Sequence, residues 1–169
     1  MQQKFFIRLQ YKQRIMNYTA VITWEKNIED DFEKGEYSRV HKWSFDGGMQ
    51  IKASSSPSVV PLPFSDAALI DPEEAFLASL SSCHMLFFLS IAAKRKIVVE
   101  KYQDHVQGTM GKDKEGKIAM LTVTLNPSVI FAGEEDPSSE IINEIHEQAH
   151  ESCFIASSVK TKIEIVPKF

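Results

Sequence analysis

Two cysteines are the side chains of this sequence with the most specific chemistry. Cys83 follows two serines, Ser81 and Ser82, and Cys153 lies seventy residues further along the chain. Two thiols act as a redox pair when one attacks an oxidant and the other resolves the product, which requires their Cα atoms to lie within about 7 Å. Alternatively, each cysteine is a small buried core residue, because free cysteines are among the most buried residue types. Sequence spacing leaves both interpretations open.

A histidine motif near the second cysteine indicates a different chemistry. Residues 146–150, His-Glu-Gln-Ala-His, fit the H-E-x-x-H pattern of zinc hydrolases, in which two imidazoles share one helix face. The zinc ligands would be His146 and His150, with Glu147 as the base and Cys153 as a candidate third ligand. Only nineteen residues follow His150, and no well-placed downstream ligand is evident. Solvated or capping histidines are therefore favoured, and we expect neither a metal nor another cofactor.

Four phenylalanines offer a third interpretation, an apolar ligand site without catalysis. Aromatic side chains commonly line small-molecule pockets, whether or not chemistry follows binding. A binding protein would keep its ligand affinity after Cys83→Ser, whereas a cysteine enzyme would lose its turnover. The candidate lining residues are Phe64, Phe76, Phe87 and Phe88.

The first cysteine lies in a predicted helix with a clear start. Asp71 is a helix cap, Pro72 suits the first helical position, and Glu74 completes a capping box. The helix is expected to run to about Arg95. Residues 75–93 carry no formal charge, and their number approaches the ~20 that span a bilayer. Their many polar groups favour instead a buried helix of a globular protein, enclosed with the help of a second subunit.

A second helix is predicted to open at Asp136-Pro137 and to end near Cys153. The two cysteines meet only if this helix crosses the first one near its end. The apolar residues of the second helix recur at helical spacing and predict one buried stripe, made of Ile141, Ile142, Ile145 and Ala149.

The remaining elements are predicted as strands, because aromatic and β-branched residues alternate with turn signals. Residues 97–110 and 117–130 form a hairpin across a glycine-containing turn, and alternation marks a last strand over 159–165. Residues 54–66 contain three prolines among apolar side chains and predict an irregular lid or pocket wall. Earlier strands are expected at 18–24, 37–45 and 49–53. This order, without βαβ alternation, indicates an α+β fold.

Composition and charge exclude several classes of protein. There are 19 Lys and Arg against 23 Asp and Glu, and no basic stripe is present, so no nucleic-acid partner is expected. A content of 43% hydrophobic and 25% charged residues indicates one compact domain, expected over residues 16–169. Residues 1–15 are expected to be an N-terminal extension, because a second methionine, Met16, directly precedes the regular pattern. They contain no signal-peptide core, so we expect a cytoplasmic protein without a membrane partner.

Two motifs around the cysteines resemble one protein family. The run Asp-Pro-Glu-Glu-Ala-Phe-Leu-Ala-Ser-Leu-Ser-Ser-Cys over 71–83, followed by Ala-His-Glu-Ser-Cys over 149–153, is similar to the osmotically inducible protein C and organic hydroperoxide resistance (OsmC/Ohr) family. The likeness in element order extends from Tyr18 to Val166. It implies an intertwined α+β homodimer in which antiparallel sheets pack around long central helices. It also implies a cysteine-based peroxidase that prefers organic hydroperoxides to hydrogen peroxide and is restored by a dithiol reductant.

The resemblance assigns roles to four residues. Cys83 matches the cysteine that attacks the peroxide and becomes a sulfenic acid, and Cys153 matches the one that resolves it as a disulfide. Glu73 matches the family glutamate, and Arg39 matches the family arginine. A guanidinium beside Cys83 would stabilise its thiolate, and a paired glutamate would orient the guanidinium. Complementing the helix dipole is the alternative role of Glu73.

Helix geometry separates Glu73 from Cys83. Ten residues advance about 15 Å along a helix and turn about 1000°, which places the two side chains on different faces. We therefore expect Glu73 and Arg39 of one subunit to complete the site around Cys83 of the other.

Overall fold

The computed structural model describes residues 15–133 and 135–168. The chain forms two compact units, of which the first ends at Ile70 and the second begins at Asp71. The extension predicted for residues 1–15 lies, except for Ile15, outside the described residues. Both cysteines belong to the second unit.

The first unit is built on a three-stranded antiparallel sheet. Across this sheet the strands follow in the order β1 (Ala20–Thr23), β2 (His41–Phe45) and β3 (Gln50–Ala53). Trp43 of β2 lies opposite Ile22 on one side and Ile51 on the other. The predicted turn after β2 contains Gly48 with a φ of 85°, in the left-handed region that favours glycine.

The second strand begins later than predicted. Residues 37–40 form a loop, in which the backbone N–H of Arg39 donates to the carbonyl of Phe64 at 2.8 Å instead of to a neighbouring strand. Segment 54–66 contains no helix or strand, as its prolines predict. The buried hydroxyl of Ser54 accepts a backbone hydrogen bond at 3.0 Å from the far end of this segment, which fixes its course.

The second unit opens with α1 (Pro72–Lys94), which begins where the sequence predicts. The capping box is complete, since the Glu74 N–H donates to the Asp71 carboxylate at 2.7 Å and the Asp71 N–H donates to the Glu74 carboxylate at 3.3 Å. Arg95 is the C-terminal cap of the helix, and the next residue, Lys96, has a φ of 59°.

Helix α1 has one packed side and one open side in this chain. By length and composition alone it is long and apolar enough to cross a membrane. Its open side exposes Ser82 and Ser90, and Leu86 between them is 62% exposed. The packed side carries, at helical spacing, Leu80, His84, Phe88, Ile91 and Ala92. The sequence predicts an enclosed helix, and the described residues of this chain cover α1 on one side only.

The second helix, α2 (Ser139–Ser152), begins later than the predicted start at Asp136-Pro137. Ser138 is the cap, because its hydroxyl is placed to accept from the N–H of Ile141 at 3.5 Å. Ile141 itself is 38% exposed, so its predicted place in the buried stripe is wrong, and His146 lies there instead. The rest of the stripe is buried as predicted, namely Ile142, Ile145 and Ala149.

Five strands in two sheets complete the second unit. The first sheet pairs two antiparallel strands, β4 (Val99–Asp104) and β7 (Pro127–Phe131). In the second sheet the order is β5 (Gln107–Lys112), β6 (Ile118–Leu125) and β8 (Lys162–Ile165). The predicted hairpin is present between β5 and β6, whereas β6 and β8 run parallel. The last strand starts three residues later than predicted, after a short 3₁₀ helix.

Each long predicted strand run breaks into two strands. Residues 97–110 divide into β4 and β5, and residues 117–130 divide into β6 and β7. At the second break the N–H of Asn126 donates to the Asp104 carboxylate at 2.6 Å, and its side-chain amide donates to the carbonyl of His105 at 2.9 Å. Because these bonds join the two break points, β4 and β7 pair in a sheet of their own.

Helix α1 is the central element of the second unit. Gly108 of β5 permits its close approach, because a Cβ at that position would lie 2.7 Å from the Leu77 side chain. A smaller apolar cluster contains Leu80, Val123 and Leu125. A larger cluster joins α1 to α2 and β7 through Phe88, Ile91, Ala92, Phe131, Ile142, Ile145 and Ala149.

Candidate functional site

The crossing of α1 and α2 brings the two cysteines together. Cys83 lies in the middle of α1 and is half-buried, whereas Cys153 is the C-terminal cap of α2 and is 1% exposed. Burial, followed by the neighbouring Cys83 thiol, raises the pKa of Cys153 to about 11. Cys153 is therefore an uncharged thiol at neutral pH, and it lies beside the more accessible sulfur.

A tight turn fixes the position of Cys153. The backbone N–H of Ala156 donates to its sulfur at 3.4 Å, and its own carbonyl accepts from the N–H of Ser157 at 3.0 Å. Phe154, the next residue, packs edge-on against Phe87 of α1 with 5.1 Å between the ring centroids. The end of α2 is thus held against the helix that carries Cys83.

A part-buried carboxylate network positions the segment just before Cys83. The hydroxyl of Ser81 donates to Oδ2 of Asp104 on β4 at 2.5 Å, and Oδ1 of the same carboxylate accepts from Asn126. Sequence reasoning missed this contact, because twenty-three residues separate Ser81 from Asp104. It joins α1 to both sheets two residues from Cys83.

The other two predicted site residues belong to different units of the chain. Glu73 is half-buried in the first turn of α1, ten residues before Cys83. Arg39 belongs to the first unit, where its Nη1 donates to the carbonyl of Gly35 at 2.9 Å and to that of Tyr37, and its guanidinium lies 3.5 Å from the Tyr37 ring centroid. In the part of the chain that the structure describes, Nε and Nη2 of Arg39 make no hydrogen bond.

A buried histidine pair, which sequence reasoning missed, joins the two helices next to the cysteines. Nε2 of His84 on α1 lies 3.0 Å from Nδ1 of His146 on α2, and the two side chains are 1% and 3% exposed. Burial lowers the pKa of His84 to about 3 and that of His146 to about 4, so both rings are uncharged at neutral pH. The sequence signal for burial of His146 is its position at helical spacing from Ile142, Ile145 and Ala149.

This pairing gives no support to the zinc alternative. His146 is turned towards His84, and Glu147 is exposed to solvent. Among the described residues, no group of three or more His, Cys, Asp or Glu side chains is placed to hold a metal ion.

Two of the four candidate phenylalanines belong to different apolar clusters of the second unit. Phe88 is fully buried and packs on His146 and Tyr102 as part of the core. Phe76 packs against the smaller apolar cluster, and Phe64 belongs to the first unit.

Comparisons with known proteins agree on one family. The family model described as OsmC-like protein matches residues 65–168. An OsmC-like protein of unknown function from Vibrio cholerae is similar at 47% identity and a TM-score of 0.89, over 91% of this chain and 100% of that chain. No curated protein matches the sequence.

Two more distant structures share the fold. The organic hydroperoxide resistance protein of Elizabethkingia anophelis is 16% identical, with a TM-score of 0.66 over 92% of this chain and 96% of that chain. The organic hydroperoxide resistance protein OhrB of Bacillus subtilis is 18% identical, with a TM-score of 0.61 over 90% and 98% of the two chains. The cysteine motifs, the α+β fold and the match of the family model over more than half of the chain establish that this protein belongs to the OsmC-like family.

Proposed function

We propose that the protein is a cysteine-based peroxidase that reduces organic hydroperoxides. The observation that carries this function is the placement of Cys83, half-buried on α1, beside the buried thiol of Cys153. Membership of the OsmC-like family, and the likeness in fold to two organic hydroperoxide resistance proteins, support a role connected with peroxides.

The two sulfurs divide the reaction between them. The Cys83 thiolate attacks the peroxide and breaks its O–O bond, which gives a sulfenic acid and an alkoxide that takes up a proton and leaves as the alcohol. The Cys153 thiol then condenses with the sulfenic acid, releasing water and forming a disulfide. A dithiol reductant supplies two electrons and two protons to restore both thiols. Such a cycle fits the cytoplasm, where the surroundings are reducing, and we propose that location.

We further propose that the protein works as a homodimer. The open side of α1, on which Leu86 is 62% exposed between Ser82 and Ser90, is the surface that a second copy would cover. In this arrangement Arg39 and Glu73 of one subunit would face Cys83 of the other. The two nitrogens of Arg39 without hydrogen bonds in the described residues are suited to a thiolate or a peroxide oxygen.

Turnover of cumene hydroperoxide with dithiothreitol tests the function. Cys83→Ser should abolish turnover, because no nucleophile remains. Cys153→Ser should keep the first oxidation but over-oxidise Cys83 to the sulfinic acid, because nothing traps the intermediate. Ser82→Ala, on the exposed neighbour of Cys83, is the matched control and should retain full turnover. Undiminished peroxidase activity in Cys83→Ser would contradict the proposed function, and ligand binding without turnover in the wild type would favour a binding protein.

A further inference from the structure

We propose that a cavity beside His146 binds a small uncharged molecule that carries one hydroxyl group on an apolar body. The cavity has a volume of about 320 Å³ and lies among β7, α2 and the C-terminal segment Pro167–Lys168. Its lining includes neither Cys83 nor Cys153. The site is therefore distinct from the cysteine pair and would give the protein a second ligand.

The walls of the cavity are mainly apolar and carry no net charge. Strand β7 contributes Val129 and the buried Phe131, and α2 contributes the buried Ile142. The charged residues of the lining, Asp136 and Lys168, are both exposed and opposite in sign. The volume is at the lower end of the range of about 300–1,000 Å³ that is usual for small-molecule pockets. These walls suit a small apolar body and favour neither an anion nor a cation.

His146 provides the polar group for such a ligand. Its Nδ1 is engaged by His84 at 3.0 Å, and the side chain is 3% exposed. Its other ring nitrogen, Nε2, is buried and has no hydrogen-bond partner among the described residues. Leaving a buried polar atom without a partner is unfavourable, so a ligand that supplies one makes a hydrogen bond that the protein alone lacks.

The histidine pair selects a hydroxyl group. Both rings are uncharged, and one hydrogen lies between them, so each ring has one further nitrogen whose state depends on the tautomer. When His84 donates to His146, Nε2 of His146 carries a hydrogen and donates; when His146 donates, its Nε2 accepts. A hydroxyl both donates and accepts, so it matches either arrangement. A carboxylate or an ammonium group matches only one arrangement and also brings a charge to a neutral ring.

Cyclohexanol is a direct probe of this site, followed by NMR of the reduced ¹⁵N-labelled protein. We expect saturable shift changes at the amides of β7 and α2 and at Nε2 of His146. The charged counterparts, cyclohexanecarboxylate and cyclohexylammonium, should bind at least tenfold more weakly. These probes are not oxidants, so Cys83→Ser should bind cyclohexanol like the wild type whether or not the proposed peroxidase function holds.

Three variants give the test its controls. His146→Phe keeps a ring but removes both nitrogens, and it should weaken cyclohexanol binding at least tenfold. Ser139→Trp fills the cavity from an exposed position of its lining and leaves the histidine pair in place, so it should abolish binding even if His146→Phe does not fold. His105→Phe, on an exposed residue outside the lining, should bind normally. No saturable binding to the wild type, tighter binding of a charged counterpart, or unchanged binding by Ser139→Trp would each overturn the proposed site.

Discussion

At the scale of single residues, Cys83 and Cys153 differ in the properties that decide which thiol attacks. Cys153 is 1% exposed, and burial together with its cysteine neighbour raises its pKa to about 11. Cys83 is half-buried on α1 and is the more exposed of the two sulfurs. Because the thiolate is the nucleophile, a buried and protonated Cys153 is suited to resolving a sulfenic acid rather than to forming one.

The buried histidine pair predicts a loss of stability in mild acid. Burial is the main cause that lowers the pKa of His84 to about 3 and that of His146 to about 4, from an ordinary value of 6.5. Below pH 6.5 the unfolded chain binds protons that the folded chain does not, so stability is greatest above this pH and falls towards pH 4. Each histidine approaches a slope of about 1.4 kcal/mol per pH unit only well below pH 6.5, where the unfolded chain is fully protonated, so the two together lose about 3 kcal/mol between pH 6.5 and 5. Urea unfolding at several pH values measures it.

The control for this pH dependence is a variant without the pair. The double variant His84→Phe with His146→Phe should lose this part of the pH dependence of the free energy of unfolding. His105→Phe, on an exposed histidine, should retain it. The charge of His150 also lowers the pKa of His84, and His150 is unchanged in all three proteins. The same slope in the double variant and the wild type would show that the pair does not titrate as described.

The sequence singles out the cysteines but not the histidine pair, for a physical reason. Each cysteine lies within a local run of residues that resembles a family motif. His84 and His146 are sixty-two residues apart, and their contact depends on how α1 and α2 cross. The H-E-x-x-H pattern includes His146 but indicates a metal, because the pattern does not show which face of the helix is buried.

At the scale of the elements, the Asp104 carboxylate holds α1 against the sheets. We expect Asp104→Ala to lower the free energy of unfolding by roughly 3 kcal/mol, because it removes two hydrogen bonds to one carboxylate, and Ser81→Ala to have about half this effect. Ser82→Ala, on the exposed neighbour, should change stability by less than about 0.5 kcal/mol. Chemical denaturation of the reduced proteins provides the comparison. An Asp104→Ala protein as stable as the wild type would refute this role.

Element boundaries followed from the sequence where the signals were local. The start of α1 is correct because Asp71 and Glu74 form their capping box within one turn. The predicted start of α2 is too early, because Asp136 and Ser138 are both capping residue types and only the latter reaches the helix N–H. The break at Asn126 was missed because its partner, Asp104, is twenty-two residues away. The parallel pairing of β6 with β8 likewise joins residues that are far apart in the sequence, so no local signal predicts it.

At the scale of the whole molecule, we expect a charge introduced on the open side of α1 to separate the two subunits of the proposed homodimer. Leu86→Lys should convert the proposed homodimer to a monomer and remove its activity, because the charge would lie in an apolar interface. Ile118→Lys alters a residue of equal exposure, 64% against 62%, on β6 and should remain dimeric. Light scattering coupled to size-exclusion chromatography reports the mass. A monomeric wild type would contradict the homodimer.

Mixed dimers show whether the two subunits share each site. Co-refolding of inactive Cys83→Ser with inactive Arg39→Ala subunits creates heterodimers in which one of the two sites has both groups intact. With random pairing, about a quarter of the wild-type activity should return, by counting alone. If each site used Cys83 and Arg39 of the same chain, the mixture would stay inactive.

The reaction of the two cysteines with a peroxide is the central claim, and peptide mapping tests it most directly. The reduced wild type is treated with one equivalent of cumene hydroperoxide, blocked with an alkylating agent and digested without reduction. We predict an intrachain disulfide between Cys83 and Cys153, with both free thiols lost and the hydroperoxide converted to its alcohol. Two free thiols after this treatment, or disulfides formed only between chains, would contradict the claim.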